Sequence, residues 1–93
     1  MSHVNKTERF KLSAKMVKQL SSTPSNTELL MLYGAYKQAT VGDCNIEEPS
    51  KIYLKENTKW QFWNKLKNMS KDDAMRLYSD HAMKMIEKYG VAQ

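Results

Sequence analysis

The sequence predicts an all-α domain of four helices, and three observations carry that prediction. Apolar residues recur three and four positions apart in four separate stretches, the period of a helix with one buried face. Two of those stretches follow a serine with an acidic residue three places on, Ser25 before Glu28 and Ser70 before Asp73, a spacing in which cap and backbone satisfy one another. No stretch alternates apolar and polar residues as a half-buried strand does, and no internal repeat is present. With 93 residues the chain reads as one domain, residues 1–93. Such a domain buries only somewhat over ~60% of its unfolded surface, so a compact architecture is required.

The first helix is expected to be capped by Thr7, with Glu8 in its first turn and Phe10, Ala14, Val17 and Leu20 on its stripe. Lys18 lies at the edge of that stripe, and Leu12 and Met16 lie off it. Ser21 to Pro24 ends the helix, because the residue before proline avoids helical angles and serine competes for backbone hydrogen bonds. The second helix starts at the Ser25 cap and runs to about Val41. Leu29, Leu32, Tyr33, Tyr36 and Thr40 share one face, and Leu30 and Met31 widen the apolar surface. Gly42 stops it, since glycine enters the left-handed region without steric cost. From Gly42 to about Tyr53 no period holds, which predicts a long ordered loop of the kind that is often functional. The third helix carries Trp60, Trp63 and Leu66 on one face, with Lys55, Lys59, Lys65 and Lys67 around them, and is expected to end at Asn68 and Met69. The fourth opens at Ser70, with Asp72 and Asp73 favoured by the helix dipole. Its inner stripe is Ala74, Leu77, Tyr78, His81 and Met85; Lys84 and Lys88 suit its carboxyl end and Gly90 closes it.

A formal charge of +5 points to an anionic partner: nucleic acid, an anionic membrane or a phosphorylated small molecule. One cysteine, Cys44, excludes an intramolecular disulfide and a thiolate metal cluster. The opening MSHVNKTERF lacks the apolar run of a signal peptide, and the longest apolar run, LLMLY, is too short to span a bilayer, so a cytoplasmic location is expected. His3 lies in a terminus expected to fray and His81 sits on a helical stripe with no second ligand at metal-binding spacing, which argues against a metal site and a catalytic triad. The carboxylates read as caps and solvated faces. Basic residues spread over all the helices without a recognition-helix signature argue against nucleic acid. The off-stripe Leu12, Met16 and Met31 fit either a contact patch or ordinary isolated surface residues.

The most informative stretch is YGAYKQATVGDCN, Tyr33 to Asn45. On a helix Tyr33, Tyr36 and Lys37 share a face. Two aromatic rings beside an ammonium can seat a flat ring carrying a phosphate. The same tyrosines can equally pack a core.

YKQATVGDCN, then Pro49, KWQFWNKLK from Lys59, SKDDAMRLY from Ser70 and KYG from Lys88, in this order and at these distances, resemble the acyl-CoA-binding protein family over about Phe10 to Gly90. The resemblance implies an antiparallel four-helix bundle of up-down-down-up topology, with the long loop joining helices 2 and 3. It implies binding of long-chain fatty acyl-CoA without catalysis, with no cofactor and no metal. Matched position by position, Tyr33, Tyr36, Lys37, Lys59 and Tyr78 would hold the adenine and the ribose 3′-phosphate. Lys18 and Lys55 would add head-group contacts, and Phe10, Ala14 and Leu30 would line the ligand site. Trp60 and Trp63 match the family's tryptophan pair, as core and groove wall.

The chain departs from the family pattern after Lys55, where Glu56, Asn57 and Thr58 stand in place of a segment that commonly carries glycine and a further lysine. That removes one positive charge near the head group and adds a negative one. The function expected is a monomeric intracellular acyl-CoA carrier and pool former, making transient contacts with acyl-CoA-using enzymes or membrane surfaces. The alternative is a protein or membrane-surface adaptor on the same bundle with weak ligand binding.

Overall fold

A computed structural model describes residues 5–92, so His3 lies outside the described residues. Four helices follow one another: α1 (Lys6–Met16), α2 (Asn26–Thr40), α3 (Leu54–Asn64) and α4 (Lys71–Tyr89). α4 packs between α1 and α2, and α3 packs on the far side of α2.

Residue pairings give the directions. Lys6 meets Asp72 and Arg9 meets Asp80, so α1 and α4 run parallel. Tyr36 lies against Tyr78 while Glu28 meets Tyr89, so α2 and α4 run antiparallel. Lys59 covers Tyr33 and Lys37 covers Trp63, so α2 and α3 run parallel. The topology is up-down-down-up, and a parallel α2–α3 pair needs the long connection of residues 41–53 to carry the chain back along the bundle.

The core consists of Phe10, Leu32, Ala35, Ala39, Ala74, Tyr78, Ala82 and Met85. Alanines on the facing sides of α2 and α4 let those two helices approach closely, and side chains such as Leu32 and Met85 each contribute about 1.5–3 kcal/mol by leaving water. Gly34 serves the other face of α2. A Cβ there would sit 2.4 Å from the Phe62 carbonyl oxygen, so only glycine allows the α2 and α3 backbones this contact.

Local expectations hold in part. Ser25 and Glu28 form the full capping box, and Ser70 accepts the Asp73 N–H at 3.0 Å. Gly42 and Gly90 have φ of +102° and +74° where α2 and α4 stop. The cap of α1 is Asn5, not Thr7: the Glu8 N–H donates to the Asn5 carboxamide oxygen at 2.9 Å, so the helix starts before Thr7. α1 also ends sooner, at Met16, and tightens into a 3-10 turn over Val17–Gln19 before reaching the serines. α3 stops at Asn64, short of Asn68. Turns of three residues replace helical bonds there, and Asn68 takes a φ of +76° while its N–H donates to Asp43 at 2.8 Å. In α4 the inner stripe is Ala74, Tyr78, Ser79, Ala82 and Met85, and Leu77 and His81 fall at its edge. One isolated antiparallel bridge, Leu20 with Val91, ties the chain after α4 to the α1–α2 connection.

Candidate ligand-binding groove

The α1 and α2 backbones stay apart, and the gap between them, bridged at one end by side chains and floored by α4, is the groove. Ala14 and Lys18 line it from the α1 side, Leu32, Tyr33 and Tyr36 from α2, and Tyr78 from α4, enclosing about 410 Å³. Aromatic rings close one end. Phe10 stacks on Tyr36 at 5.6 Å between centroids, and Tyr78 meets both edge-on, at 5.1 Å from Phe10 and 5.9 Å from Tyr36. Phe10 is buried and supports the groove from behind, whereas Tyr36 is 44% exposed and open to a ligand.

A second hollow of about 280 Å³ adjoins it and shares Tyr33. Ile46 and Pro49 of the long loop and Glu56, Lys59 and Trp60 of α3 line the rest. The Lys59 ammonium stands 5.4 Å from the centre of the Tyr33 ring. Tyr33 is thus a common wall, with one cation beside it in each hollow: Lys18 in the first and Lys59 in the second.

The long loop that shapes the second hollow is held by hydrogen bonds from α3. The Trp63 indole N–H donates to the Gly42 carbonyl at 2.8 Å, and that of Trp60 to the Ile46 carbonyl at 2.9 Å. Trp63 is core and Trp60 is wall, and both also fasten the loop. Asn57, only 2% exposed, donates to the Pro49 carbonyl at 2.7 Å and to the Glu48 carboxylate at 2.9 Å, and accepts from Gln61. Gln38 does the same for the loop's beginning. Fully buried, it donates to Asp43 and to the Met69 carbonyl, each at 2.8 Å. That bond from Gln38, followed by the Asn68 N–H, holds the Asp43 carboxyl below its ordinary value.

Of the residues the sequence singled out, Ala14, Lys18, Tyr33, Tyr36 and Tyr78 meet in the groove and Lys59 joins them through Tyr33. Lys37 sits over the Trp63 ring at 5.0 Å, beside α3. Lys55 is exposed on the first turn of α3, and Leu30 is half-buried on α2; neither lines either hollow. Cys44 is half-buried in the loop. Gln38 and Gly34 escaped the sequence reading, and Asn57 entered it only as a departure from the family pattern. A glycine inside a strong helix is a legible sign of close packing. The ties of Asn57 and Gln38 gave no sign, because their partners are carbonyls and acids of segments outside any helical period.

Burial, helped by Tyr36, pushes the Tyr78 hydroxyl above its ordinary value, so it remains a neutral donor at the groove floor. Burial and then Lys84, opposed by Asp80, hold His81 below its ordinary value; it lines a separate apolar cleft with Met31, Phe62, Lys65, Leu66 and Leu77. Among the described residues no group of acidic, histidine and cysteine side chains could hold a metal, and no helix is long and apolar enough to cross a membrane.

Residues 7–82 match the model of the acyl-CoA-binding protein family. A chain from Hypsibius named for acyl-CoA binding is 51% identical over 85 residues, which are 91% of this chain and 96% of that one. Among solved structures, acyl-CoA-binding protein 2 of Oryza sativa superposes with a TM-score of 0.85 at 37% identity, over 89% of this chain and 90% of that one. The acyl coenzyme A binding protein of yeast superposes with a TM-score of 0.72 at 42% identity, over 90% and 98% of the two chains.

Proposed function

Because this chain belongs to the acyl-CoA-binding protein family, we propose that it binds long-chain fatty acyl-CoA esters with high affinity and acts as their intracellular carrier and pool former. The observation that carries this reading is the convergence of three separate elements on one groove, where Lys18, Tyr33, Tyr36 and Tyr78 meet and Tyr33 is shared with the hollow of Lys59. In this reading the adenine and ribose 3′-phosphate take Tyr33, Tyr36, Lys37, Lys59 and Tyr78. Lys18 and Lys55 add head-group contacts, and Phe10, Ala14 and Leu30 belong to the surface of α1 and α2 around the ligand.

Magnitudes assign the work. A tail of about fourteen methylenes at ~0.8 kcal/mol each offers about 11 kcal/mol if fully buried, against ~0.2–1 kcal/mol for an exposed ion pair. The tail dominates affinity. A stacked base adds about 1–3 kcal/mol and the phosphates fix register, so the head group sets selectivity for the thioester over the free acid. A carrier makes and breaks no bonds; it keeps the ester from water and releases it to enzymes or membranes. We place this carrier in the cytoplasm, as a monomer.

The carrier reading is tested by protection. Palmitoyl-CoA mixed with an equal amount of protein should be hydrolysed by an added thioesterase far more slowly than free ester, and Tyr33→Ala should restore much of the rate. Hydrolysis at the unprotected rate would refute the reading.

A further inference from the structure

The two hollows that share Tyr33 differ in charge. Among the described residues, the lining of the first carries one charged side chain, Lys18, so an anion entering it meets an unopposed ammonium. The lining of the second carries two of opposite sign, Lys59 and Glu56. They stand three positions apart on α3, where helical side chains are neighbours and reach the same space. Lys59 rests beside the Tyr33 ring, and Glu56 takes part in none of the ion pairs among the described residues. Its carboxylate is therefore free to act on whatever enters the hollow.

The surroundings do not restore a positive balance. Glu47 and Glu48 lie on the loop between Ile46 and Pro49, the two loop residues of the wall, and Glu48 accepts from the Asn57 amide. Lys51 and Lys55 are exposed and line neither hollow, and Lys37 lies over Trp63. For an anion near both Lys59 and Glu56, attraction and repulsion scale with the same charge and largely cancel. A phosphate monoester carries about −1.5 to −2 at neutral pH, so it loses most by this balance. The uncharged parts of a ligand lose nothing.

We propose that Glu56 is a specificity-determining residue: by opposing Lys59 inside the second hollow it cancels most of the affinity that a ribose 3′-phosphate adds, so the chain takes fatty acyl thioesters of 3′-dephospho-CoA nearly as well as those of CoA. This rests on the carrier reading, which brings the ribose 3′-phosphate to Lys59, and deepens it by naming the class of thioester accepted. A carboxylate in the first turn of α3 also complements the helix dipole, and the two roles separate by experiment.

Calorimetric titration of the full chain with palmitoyl-CoA and with palmitoyl-3′-dephospho-CoA, each below its micelle concentration, gives the ratio of the two dissociation constants. The parent should prefer the phosphorylated ester by less than about fivefold, the reach of one exposed ion pair. Glu56→Gln removes the charge and keeps the shape. It should raise the ratio at least about threefold by tightening palmitoyl-CoA alone, and added salt should shrink that gain. Glu56→Asp should keep the parent's ratio, and so should Glu87→Gln, the same change of net charge on the exposed carboxyl end of α4. Four outcomes overturn the proposal: a stronger preference in the parent, a smaller rise in Glu56→Gln, equal tightening of both esters, or the same gain in Glu87→Gln. The second, with a lowered melting temperature, leaves Glu56 a helix-end role only; the third sets its charge beside the shared pyrophosphate; the fourth assigns the effect to net charge. In all four the parent still binds palmitoyl-CoA and the carrier reading stands. A folded parent that binds neither ester removes both.

Discussion

Tyr33 is half-buried and walls both hollows, so its ring can serve a ligand without being essential to the core. Tyr33→Ala is expected to weaken palmitoyl-CoA binding by about 1–3 kcal/mol while leaving the urea midpoint nearly unchanged; equal losses in both would place the ring in the core. Lys37 differs, because its ammonium rests on Trp63 and the cation–π contact contributes about 0.5–1 kcal/mol to the fold. The sequence placed Tyr33 and Lys37 on one face, and helical spacing made that legible. What Lys37 covers was not legible, since Trp63 lies twenty-six positions away on another helix. Asn57 is a residue at which the sequence showed only a departure and the structure shows a tie. Asn57→Ala removes the partner of the Pro49 carbonyl, and should cost about 1–3 kcal/mol and speed amide exchange over residues 50–53. Unchanged exchange would mean that the loop is held without it.

At the scale of elements, the parallel α2–α3 pair decides the shape of the site. Gly34 is where the two helices touch, and Gly34→Ala should destabilise the chain by about 1–3 kcal/mol and loosen ligand binding, because Tyr33 is its neighbour on α2. A variant as stable as the parent would show that the helices can separate freely. Helix count, the Ser25 and Ser70 caps, the glycine stops and the long loop were all readable, because period, caps and left-handed glycines act within a few residues. Three ends moved for reasons that reach further or lie outside the pattern used. Asn5 caps better than Thr7, the chain after α1 narrows to pair with Val91, and Asp43 draws the Asn68 N–H out of α3. Directions of packing became legible only through residue pairs on different helices.

Across the whole molecule, α2 and α4 are tied at one end by Glu28, which accepts from the Tyr89 hydroxyl and meets Lys88 at 3.4 Å. The Tyr89 bond first, and then the Ser25 N–H, lowers Glu28 from 4.5 to about 2. The folded chain therefore binds this proton less tightly than the unfolded one. The stabilisation is complete above about pH 4.5 and is lost as pH falls toward 2, and the lowered Asp43 carboxyl acts in the same direction. Tyr89→Phe should be less stable than the parent at neutral pH, with the difference shrinking between pH 4.5 and 2 in urea titrations; a constant difference would contradict the linkage. The central claim, that the groove exists to hold a long-chain thioester, is tested most directly by calorimetric titration with palmitoyl-CoA below its micelle concentration, beside palmitate and CoA alone. The account predicts tight one-to-one binding of the thioester, with both fragments far weaker. A folded chain that binds none of the three, or binds palmitate as tightly as the ester, would contradict it.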